Sequence, residues 1–355
     1  MKNLKVKLIG FLLLTFVMVS CGSDEPIAIT PPLNEVLENL NNGIMEGKLS
    51  EDYTLDPAIQ YSLRGAFIIE NNGILTIPAG TIITADSGGT EVYIAVLQGG
   101  EININGNAGN PVVMSSATGS PGDWGGLTLC GNASTTAGVD ASAEVGGFIY
   151  GGTDDVDSSG IIRYLQIVGT GAQINPESQY NGISFYGVGS GTLVDHVAII
   201  NGSDDGVEFF GGTVAVSNLY LENNDDDSID WTEGWSGSVT NAYISHTVAG
   251  FSTVFEGDKD NANPTFTNIT AVSSVGGTGL QFKKESGATI TSLYLVGYDV
   301  DLDMKDNGAL SNVQIEGATA DATLYAGETN KYLLNSGKNS TPVELNKWLW
   351  IDDSF

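Results

Sequence analysis

The chain has 355 residues, a formal net charge of −30 at pH 7 and a sequence pI of about 4.1. Such a charge repels a phosphate backbone, so nucleic acid is excluded as a partner. With only two cysteines, Cys21 and Cys130, no disulfide framework is expected. Cys130 lies in the apolar stretch GGLTLCG, and we expect a buried, unreactive thiol there.

The first residues have the layout of a lipoprotein signal peptide, over residues 1–20. Lysines at 2, 5 and 7 precede an apolar run from Leu8 to Val19, and small Ser20 stands before Cys21. Cleavage at this point would leave Cys21 as a lipidated N-terminus. The alternative is a transmembrane anchor, but the apolar run falls short of the ~20 residues that a membrane-spanning helix needs.

The residues after Cys21, Gly22-Ser23-Asp24-Glu25, resemble the acidic stretch with which Bacteroidetes lipoproteins reach the outer face of the outer membrane. The resemblance implies a lipid-anchored protein at the cell surface. Residues 21–52 are then a lipidated tether and N-terminal cap. Within them, LNEVLENL has apolar residues at helical spacing, which predicts one short helix, with a disordered linker as the alternative.

Residues 53–320 show the composition and self-similarity of an all-β repeat protein. One repeated unit consists of a small, an apolar, a polar and an aromatic residue. It starts at Gly182, Gly206, Ser228 and Gly279, with a weaker member at Gly250. We expect its aromatic residues, Phe185, Phe209 and Trp231, to stack in the core.

A second repeated unit alternates with the first and carries a polar residue between apolar ones. It places Asn218, Asn241, Asn268 and Asn312 at equivalent positions, with His196 in the same column. We expect these asparagines to form an amide ladder that satisfies backbone groups from coil to coil. His196 is therefore interpreted as structural rather than catalytic.

Two strands per repeat of 20 to 29 residues predict a solenoid. Each repeat is too short to bury an apolar face alone, so strands of successive coils must pair in parallel at ~4.8 Å. Parallel crossovers are nearly always right-handed. The predicted fold is therefore a single-stranded right-handed parallel β-helix, with residues 321–355 as a C-terminal cap.

Several blocks of the chain resemble a family of uncharacterised, predicted β-helical outer-membrane lipoproteins. They are GSPGDWGGLTLCGNA, NGISFYGVGSGT, GSDDGVEFFGGTV and DDDSIDWTEGWSG, and the resemblance covers roughly residues 52–246. At lower similarity the fold resembles the pectate-lyase-like (pectin-lyase-like) superfamily, which includes polysaccharide lyases, polygalacturonases and adhesins. The resemblance implies a fold and a cell-surface location, and fold analogy alone assigns no activity.

Carboxylates are concentrated on two neighbouring coils. They are Asp204, Asp205, Glu208, Asp226, Asp227 and Asp230. Like charges one coil apart repel, so they need a cation, a shared proton or contact with water. Oxygen-rich turns are natural ligands of hard cations, which makes Ca²⁺ the leading candidate. The alternative is an acidic turn stack that is simply solvated.

The same carboxylates permit an enzymatic interpretation. A pair of carboxylates ~6.5–9.5 Å apart performs inverting glycoside hydrolysis, and such a pair is available among Asp205, Glu208, Asp227 and Asp230. A calcium-dependent lyase needs a basic residue beside the metal, for which Lys283 and Lys284 are the candidates. The sequence lacks the Gly-His-Gly motif that polygalacturonases pair with their aspartates.

A noncatalytic binding role accounts for more of the pattern. Tyr186 and Phe210 are expected to point outward beside the acidic residues, and Trp235 follows either as an exposed ring or as a turn plug. Exposed aromatic faces beside polar groups suit sugars or another protein. The sequence thus predicts a surface accessory protein for a glycan, a nutrient or an outer-membrane transporter or assembly. A polysaccharide lyase or glycoside hydrolase is the alternative.

Overall fold

A computed structural model describes residues 33–176, 178–318, 320–348 and 350–351. The predicted signal peptide, the predicted lipidation site Cys21 and the residues that follow it to position 32 lie outside the described residues. The first element is the predicted short helix, α1 (Leu33–Asn41), whose Val36 and Leu40 are fully buried. Over the described ranges, we find no helix with the length and hydropathy needed to cross a membrane.

The strands of the described residues, in chain order, begin with β1 (Ile44–Leu49), β2 (Asp52–Thr54), β3 (Tyr61–Ile69), β4 (Ile74–Pro78), β5 (Ile82–Ala85), β6 (Tyr93–Val96), β7 (Glu101–Asn105), β8 (Val112–Ser116), β9 (Leu127–Cys130), β10 (Ala141–Ser142), β11 (Ile149–Tyr150), β12 (Gly160–Val168), β13 (Gln173–Asn175) and β14 (Ser178–Gln179). They continue with β15 (Ile183–Tyr186), β16 (Leu193–Ile200), β17 (Val207–Phe210), β18 (Ala215–Glu222), β19 (Asp227–Thr232), β20 (Ser238–His246), β21 (Thr253–Gly257), β22 (Thr265–Ser273), β23 (Thr278–Lys283), β24 (Ala288–Val296), β25 (Val300–Lys305), β26 (Val313–Ile315), β27 (Ala322–Leu324) and β28 (Lys331–Leu334). Short 3₁₀ turns occupy Leu310–Asn312 and Leu345–Lys347.

Three parallel ladders run along the solenoid. The first ladder joins β2, β4 and β7 to the front halves of β12, β16, β18, β20, β22 and β24. The second ladder joins β5 and β8 to the rear halves of the same long strands. The third ladder joins β6, β9, β15, β17, β19, β21, β23 and β25. The predicted parallel β-helix is confirmed.

A left-handed residue separates the two halves of each long strand. These residues are Tyr164, His196, Asn218, Asn241, Asn268 and Ser292, with φ between 51° and 59°. Asparagine tolerates this conformation better than most residues that carry a side chain. The Nδ2 atom of Asn241 donates to Oδ1 of Asn218 at 3.2 Å, and Nδ2 of Asn268 donates to Oδ1 of Asn241 at 2.6 Å. The predicted amide ladder is confirmed at these three positions, and His196 occupies the same column.

Asn312 does not belong to the ladder, contrary to the prediction. Val313, the residue after it, pairs with Ala288, which places Asn312 outside the column of left-handed residues. The chain closes there in a 3₁₀ turn instead of a bent strand, and Nδ2 of Asn312 donates to the carbonyl of Glu285 at 2.9 Å.

The predicted position of the weaker repeat unit, which was expected to start at Gly250, was also wrong, since the structure places this unit four residues later. Phe255, not Phe251, pairs with Ile229 and Leu280 in the third ladder. The aromatic signature is lost here because Gly257 takes the position of the aromatic residue. A Cβ atom at Gly257 would lie 2.6 Å from Cζ2 of Trp231, whose indole already fills the space.

Two insertions leave the coils on the side of the third ladder. The longer one, residues 131–159, is called the arm below and contains the antiparallel pair β10–β11. The shorter one is the hairpin β13–β14. At the C-terminal end, β28 pairs antiparallel with β25 and covers part of the edge that β25 leaves.

Candidate functional site

The third ladder carries a column of polar side chains on its outer surface. Glu208 pairs with Asp230, and Asp230 pairs with Glu256, so three carboxylates follow one another on successive coils. Buried Ser184 precedes these carboxylates in the column, and buried Gln281 follows them. The strand pairing therefore brings together residues that are 22 to 26 positions apart in the sequence.

The column opens into a groove of about 320 Å³, called the acidic groove below. Its lining consists of Glu144, Gln179, Asp204, Asp205, Glu208, Phe210, Asp226, Asp227, Asp230, Thr232, Glu256, Asp258 and Lys259. All six carboxylates that the sequence predicts to converge are among these residues. Their convergence is confirmed by the structure, and the ion they were predicted to bind remains a prediction.

Three overlapping groups of carboxylates have the spacing of metal ligands. Within each group, one oxygen per residue lies within 4.8 Å of the others. The groups are Asp204 with Asp205 and Asp226, Asp205 with Glu208 and Asp230, and Asp227 with Asp230 and Glu256. Because Asp205 and Asp230 each belong to two groups, the acidic groove is continuous rather than divided into separate clusters.

Hydrogen bonds from neighbouring coils hold several of these carboxylates in place. The backbone N–H of Asp227 donates to Oδ1 of Asp205 at 2.9 Å. Nδ2 of Asn181 donates to Oε2 of Glu208 at 2.7 Å, and Oγ1 of Thr253 donates to Oδ1 of Asp227 at 2.5 Å. These bonds fix the direction of the side chains, as a preformed site requires.

Burial and mutual repulsion favour the protonated form of the carboxyls. Burial, followed by the charge of Asp226, raises the pKa of Asp204 to about 8. Burial and the neighbouring carboxylates raise the pKa values of Asp205, Glu208 and Asp230 well above their ordinary range. Without a cation, the folded protein therefore tends to keep protons in the acidic groove at neutral pH.

Two polar atoms that face the groove have no hydrogen-bond partner. Oγ1 of Thr232 is buried and unpaired, and the residue is only 7% exposed. Oδ1 of Asp230 is likewise buried without a donor. Buried oxygens without a partner cost free energy, so both atoms are positioned to accept a ligand.

Lys283 lies at one end of the acidic residues, where the sequence placed the candidate base. Its ammonium group forms an ion pair with Glu256. Its neighbour Lys284 forms an ion pair with Asp258 at 3.0 Å. Burial lowers the pKa of Lys283, but the hydrogen bond and charge of Glu256 outweigh it, so the pKa is raised and the ammonium form is favoured.

The aromatic residues that were predicted to be exposed beside the acidic residues are buried. Tyr186 and Phe210 point away from the coil as expected, but they are only 1% and 4% exposed. The arm covers them, with the ring of Tyr150 5.0 Å from that of Tyr186. Of the two alternatives for Trp235, the buried one is correct. Its ring is fully buried and stacks on that of Phe209, with the ring centroids 4.0 Å apart. These aromatic residues are therefore packing residues, and none offers an open face to a sugar.

The sequence analysis missed three acidic residues of the groove. Glu256 escaped because Gly257 breaks the aromatic signature of its repeat. Asp258 follows it in the next turn. Glu144 comes from the arm, which has no counterpart in other coils and therefore no repeat signal. Cys130, by contrast, is a free, buried thiol as predicted, and burial raises its pKa to about 12.

Comparison with known proteins identifies the family. A family model described as "Pectate-lyase like beta helix domain" matches residues 47–346. The chain belongs to this family. No curated protein and no solved structure matched this chain. Membership accounts for the parallel coils, and a fold by itself assigns no activity.

Proposed function

We propose that this pectate-lyase-like β-helix is a lipid-anchored cell-surface protein that holds a divalent cation, with Ca²⁺ as the leading candidate, in its acidic groove. Through that cation it binds an anionic glycan without cleaving it. The observation that carries the proposal is the spacing of the carboxylate groups, which offers oxygen ligands within 4.8 Å of one another on successive coils.

The charge of the groove explains why a cation is needed. An anionic chain is repelled by the carboxylates unless a cation bridges the two. The unpaired oxygens of Thr232 and Asp230 add ligands of the type that hard cations prefer. The sequence has only two arginines, Arg64 and Arg163, and neither lines the groove, so direct recognition of a polyanion by arginine is not available there.

A noncatalytic role fits the surroundings of Lys283 better than lyase chemistry. A lyase base must be free to take a proton from the substrate. The ammonium group of Lys283 is instead engaged by Glu256. Cation-dependent polysaccharide cleavage is the second candidate function, because Lys283 adjoins the group of Asp227, Asp230 and Glu256.

Titration calorimetry with Ca²⁺ tests the cation site. We expect the wild-type protein to bind, and Glu208→Gln combined with Asp230→Asn to abolish binding while the fold is retained. The matched control is Glu46→Gln with Asp52→Asn, which also removes one glutamate and one aspartate charge, but from exposed positions outside the groove. Absence of Ca²⁺ binding by the wild-type protein, or equal binding by the groove variant, contradicts the proposal.

Sedimentation with insoluble polygalacturonate, in calcium and in chelator, tests the ligand class. We expect calcium-dependent retention of the wild-type protein and loss of retention in the groove variant. Soluble polygalacturonate in the same buffer separates binding from cleavage, because a lyase releases unsaturated products that absorb ultraviolet light. Product formation that disappears in Lys283→Met would establish the second candidate function instead.

The proposed location at the cell surface rests on residues 1–25 of the sequence. We expect protease added to intact cells to digest the protein, and Cys21→Ala to release it from membranes. An outer-membrane transporter or assembly remains the proposed partner class for a protein at that location. Complete protection from protease in intact cells would contradict surface display.

A further inference from the structure

The arm is the longer of the two insertions that leave the repeating coils of the solenoid. It leaves the third ladder after β9, crosses the outer surface of the next coils and returns at β12. Its residues Ala143, Val145 and Tyr150 pack over Tyr186 and Phe210 and form a second apolar cluster outside the β-helix core. Between these buried residues, exposed Glu144 lines the acidic groove, outside the three carboxylate groups that already have the spacing of metal ligands.

Several side chains of the solenoid bond to the arm, among them Asp260, which accepts from Oγ1 of Thr136 at 2.7 Å, and Glu233, which lies close to Glu144. Oε2 of Glu233 accepts hydrogen bonds from Oγ1 of Thr135 at 2.7 Å and from the hydroxyl of Tyr150 at 2.8 Å. The backbone carbonyl of Glu233 also accepts from the N–H of Thr136 at 3.1 Å. Glu233 adopts a left-handed φ of 54°, an uncommon conformation for glutamate.

Independent features indicate that the groove beneath Glu144 is built for a ligand. The hydroxyl oxygen of Thr232, the residue next to Glu233, is buried and unpaired, and Thr232 lines the groove. The charge of Glu144 also acts on the groove, since it contributes to the raised pKa values of Asp204 and Glu208. Glu144 is exposed at the groove, where the charge of Lys259 attracts it, and a cation bound among the carboxylates would add to this attraction.

We infer that Glu144 is a further cation-binding residue, delivered to the acidic groove by the arm, and that Glu233 is the positioning residue that holds the arm in place. This inference rests on the proposed function, since it concerns the same cation. Docking of the arm and binding of the cation are then linked, and by thermodynamic reciprocity each strengthens the other.

Calorimetry with Ca²⁺ on single variants separates the two roles. We expect Glu144→Gln to weaken binding by about fivefold or more, in the range typical of coupled sites. The matched control is Asp140→Asn, which removes one charge from an exposed position of the same arm and suits the left-handed φ of 56° at that residue. The control should bind as the wild-type protein does.

Two variants of Glu233 separate its reach from its charge. Glu233→Gln removes the charge and keeps an oxygen that can accept from Thr135 and Tyr150. Glu233→Asn removes the charge, tolerates the left-handed backbone and is too short to reach both hydroxyls. We expect Glu233→Asn to weaken Ca²⁺ binding by about fivefold or more, and Glu233→Gln to remain close to the wild-type protein.

Chymotrypsin digestion supplies a readout independent of calorimetry, because Phe148 and Tyr150 lie in the arm. We expect Ca²⁺ to slow cleavage there in the wild-type protein and to slow it less, at the same Ca²⁺ concentration, in Glu233→Asn. If the wild-type protein binds no cation, the proposed function fails. If it binds and Glu144→Gln matches Asp140→Asn, the ligand role is overturned. If the two Glu233 variants behave alike, whether weakened or not, the positioning role is overturned.

Discussion

At the scale of single residues, the bends between the first and second ladders depend on side chains that accept a left-handed backbone. Asn218, Asn241 and Asn268 meet this requirement and also bond to one another from coil to coil. Below them, Oδ1 of Asp195 accepts from Nδ2 of Asn218 at 2.6 Å and continues the chain of bonds. Each asparagine in the middle of the ladder therefore serves both neighbouring coils.

We predict that Asn241→Leu lowers the free energy of unfolding by ~1–3 kcal/mol, because the amides of Asn218 and Asn268 lose their partner. Leucine in a left-handed conformation adds strain. Urea unfolding checks this prediction. The control is Asn312→Leu, which breaks one bond outside the ladder and should cost at most ~1 kcal/mol. Equal losses in the two variants would show that the ladder adds nothing beyond a local hydrogen bond.

At the scale of elements, the strands of the third ladder concentrate negative charge that the fold must tolerate. The acidic groove lies where β17, β19 and β21 follow one another. The turn before β17 adds Asp204 and Asp205, the turn before β19 adds Asp226, and Asp227 begins β19. The ordinary pKa of an aspartate is 3.8, whereas Asp204 in the folded protein has a pKa of about 8. The folded chain therefore binds protons more tightly than the unfolded chain does.

The sign of the pH dependence follows from this difference. Below about pH 4 both states are protonated at Asp204, and the stabilisation from its raised pKa is fully present. Between that pH and about 8, the unfolded chain has lost the proton and the folded chain still holds it. Stability from this group therefore falls as pH rises, and it is lost above about pH 8.

We predict that, in chelator, the free energy of unfolding declines from about pH 4 to about pH 8. At pH 8, Ca²⁺ at one hundred times its dissociation constant should restore ~2.7 kcal/mol. Urea titrations at a series of pH values, with and without Ca²⁺, provide the measurement. The variant Glu208→Gln with Asp230→Asn should show a flatter profile and little response to Ca²⁺. A stability that rises steadily to pH 8 in chelator would contradict the prediction.

At the scale of the whole molecule, the C-terminal segment packs back against the middle of the solenoid. Trp350 is 3% exposed and forms an apolar cluster with Val168, Ala198 and Tyr220 on the outer surface of the second ladder. Nε2 of Gln166 donates to the carbonyl of Trp350, a contact across 184 positions of sequence. Leu345, Trp348, Trp350 and Ile351 thus cover an apolar surface of the coils.

We predict that Trp350→Ala lowers the free energy of unfolding by about 3 kcal/mol, the lower end of the range for loss of a buried tryptophan. Trp348→Ala, at a half-buried ring of the same segment, should cost less and serves as the control. Urea unfolding followed by circular dichroism provides the measurement. If Trp350→Ala is as stable as the wild-type protein, the segment does not contribute to the stability of the coils.

Local periodicity was sufficient to predict the coil architecture from this sequence. Alternating apolar residues mark the strands, and recurring asparagines mark the left-handed bends, because both requirements repeat in every coil. The carboxylate pairs at 204–205 and 226–227 were predictable for the same reason, since turns of equal spacing must stack. The repeat pattern did not predict the coil in which a large side chain of one coil fills space in the next. Trp231 occupies the space beside Gly257 in this way, and the aromatic signature of the repeat is lost there.

The sequence by itself determined the parallel β-helix, the stacking of Phe185 on Phe209, three positions of the amide ladder and the approach of six carboxylates, because each follows from a spacing that repeats along the chain. The predicted third ring of the stack, Trp231, was wrong, since Trp235 stacks on Phe209 instead. Only the tertiary structure decided that Tyr186 and Phe210 are covered and that Glu144 and Glu256 join the acidic groove. The arm has no repeat period, and its position depends on contacts with residues as distant in sequence as Glu233. Such long-range packing leaves no local pattern to read.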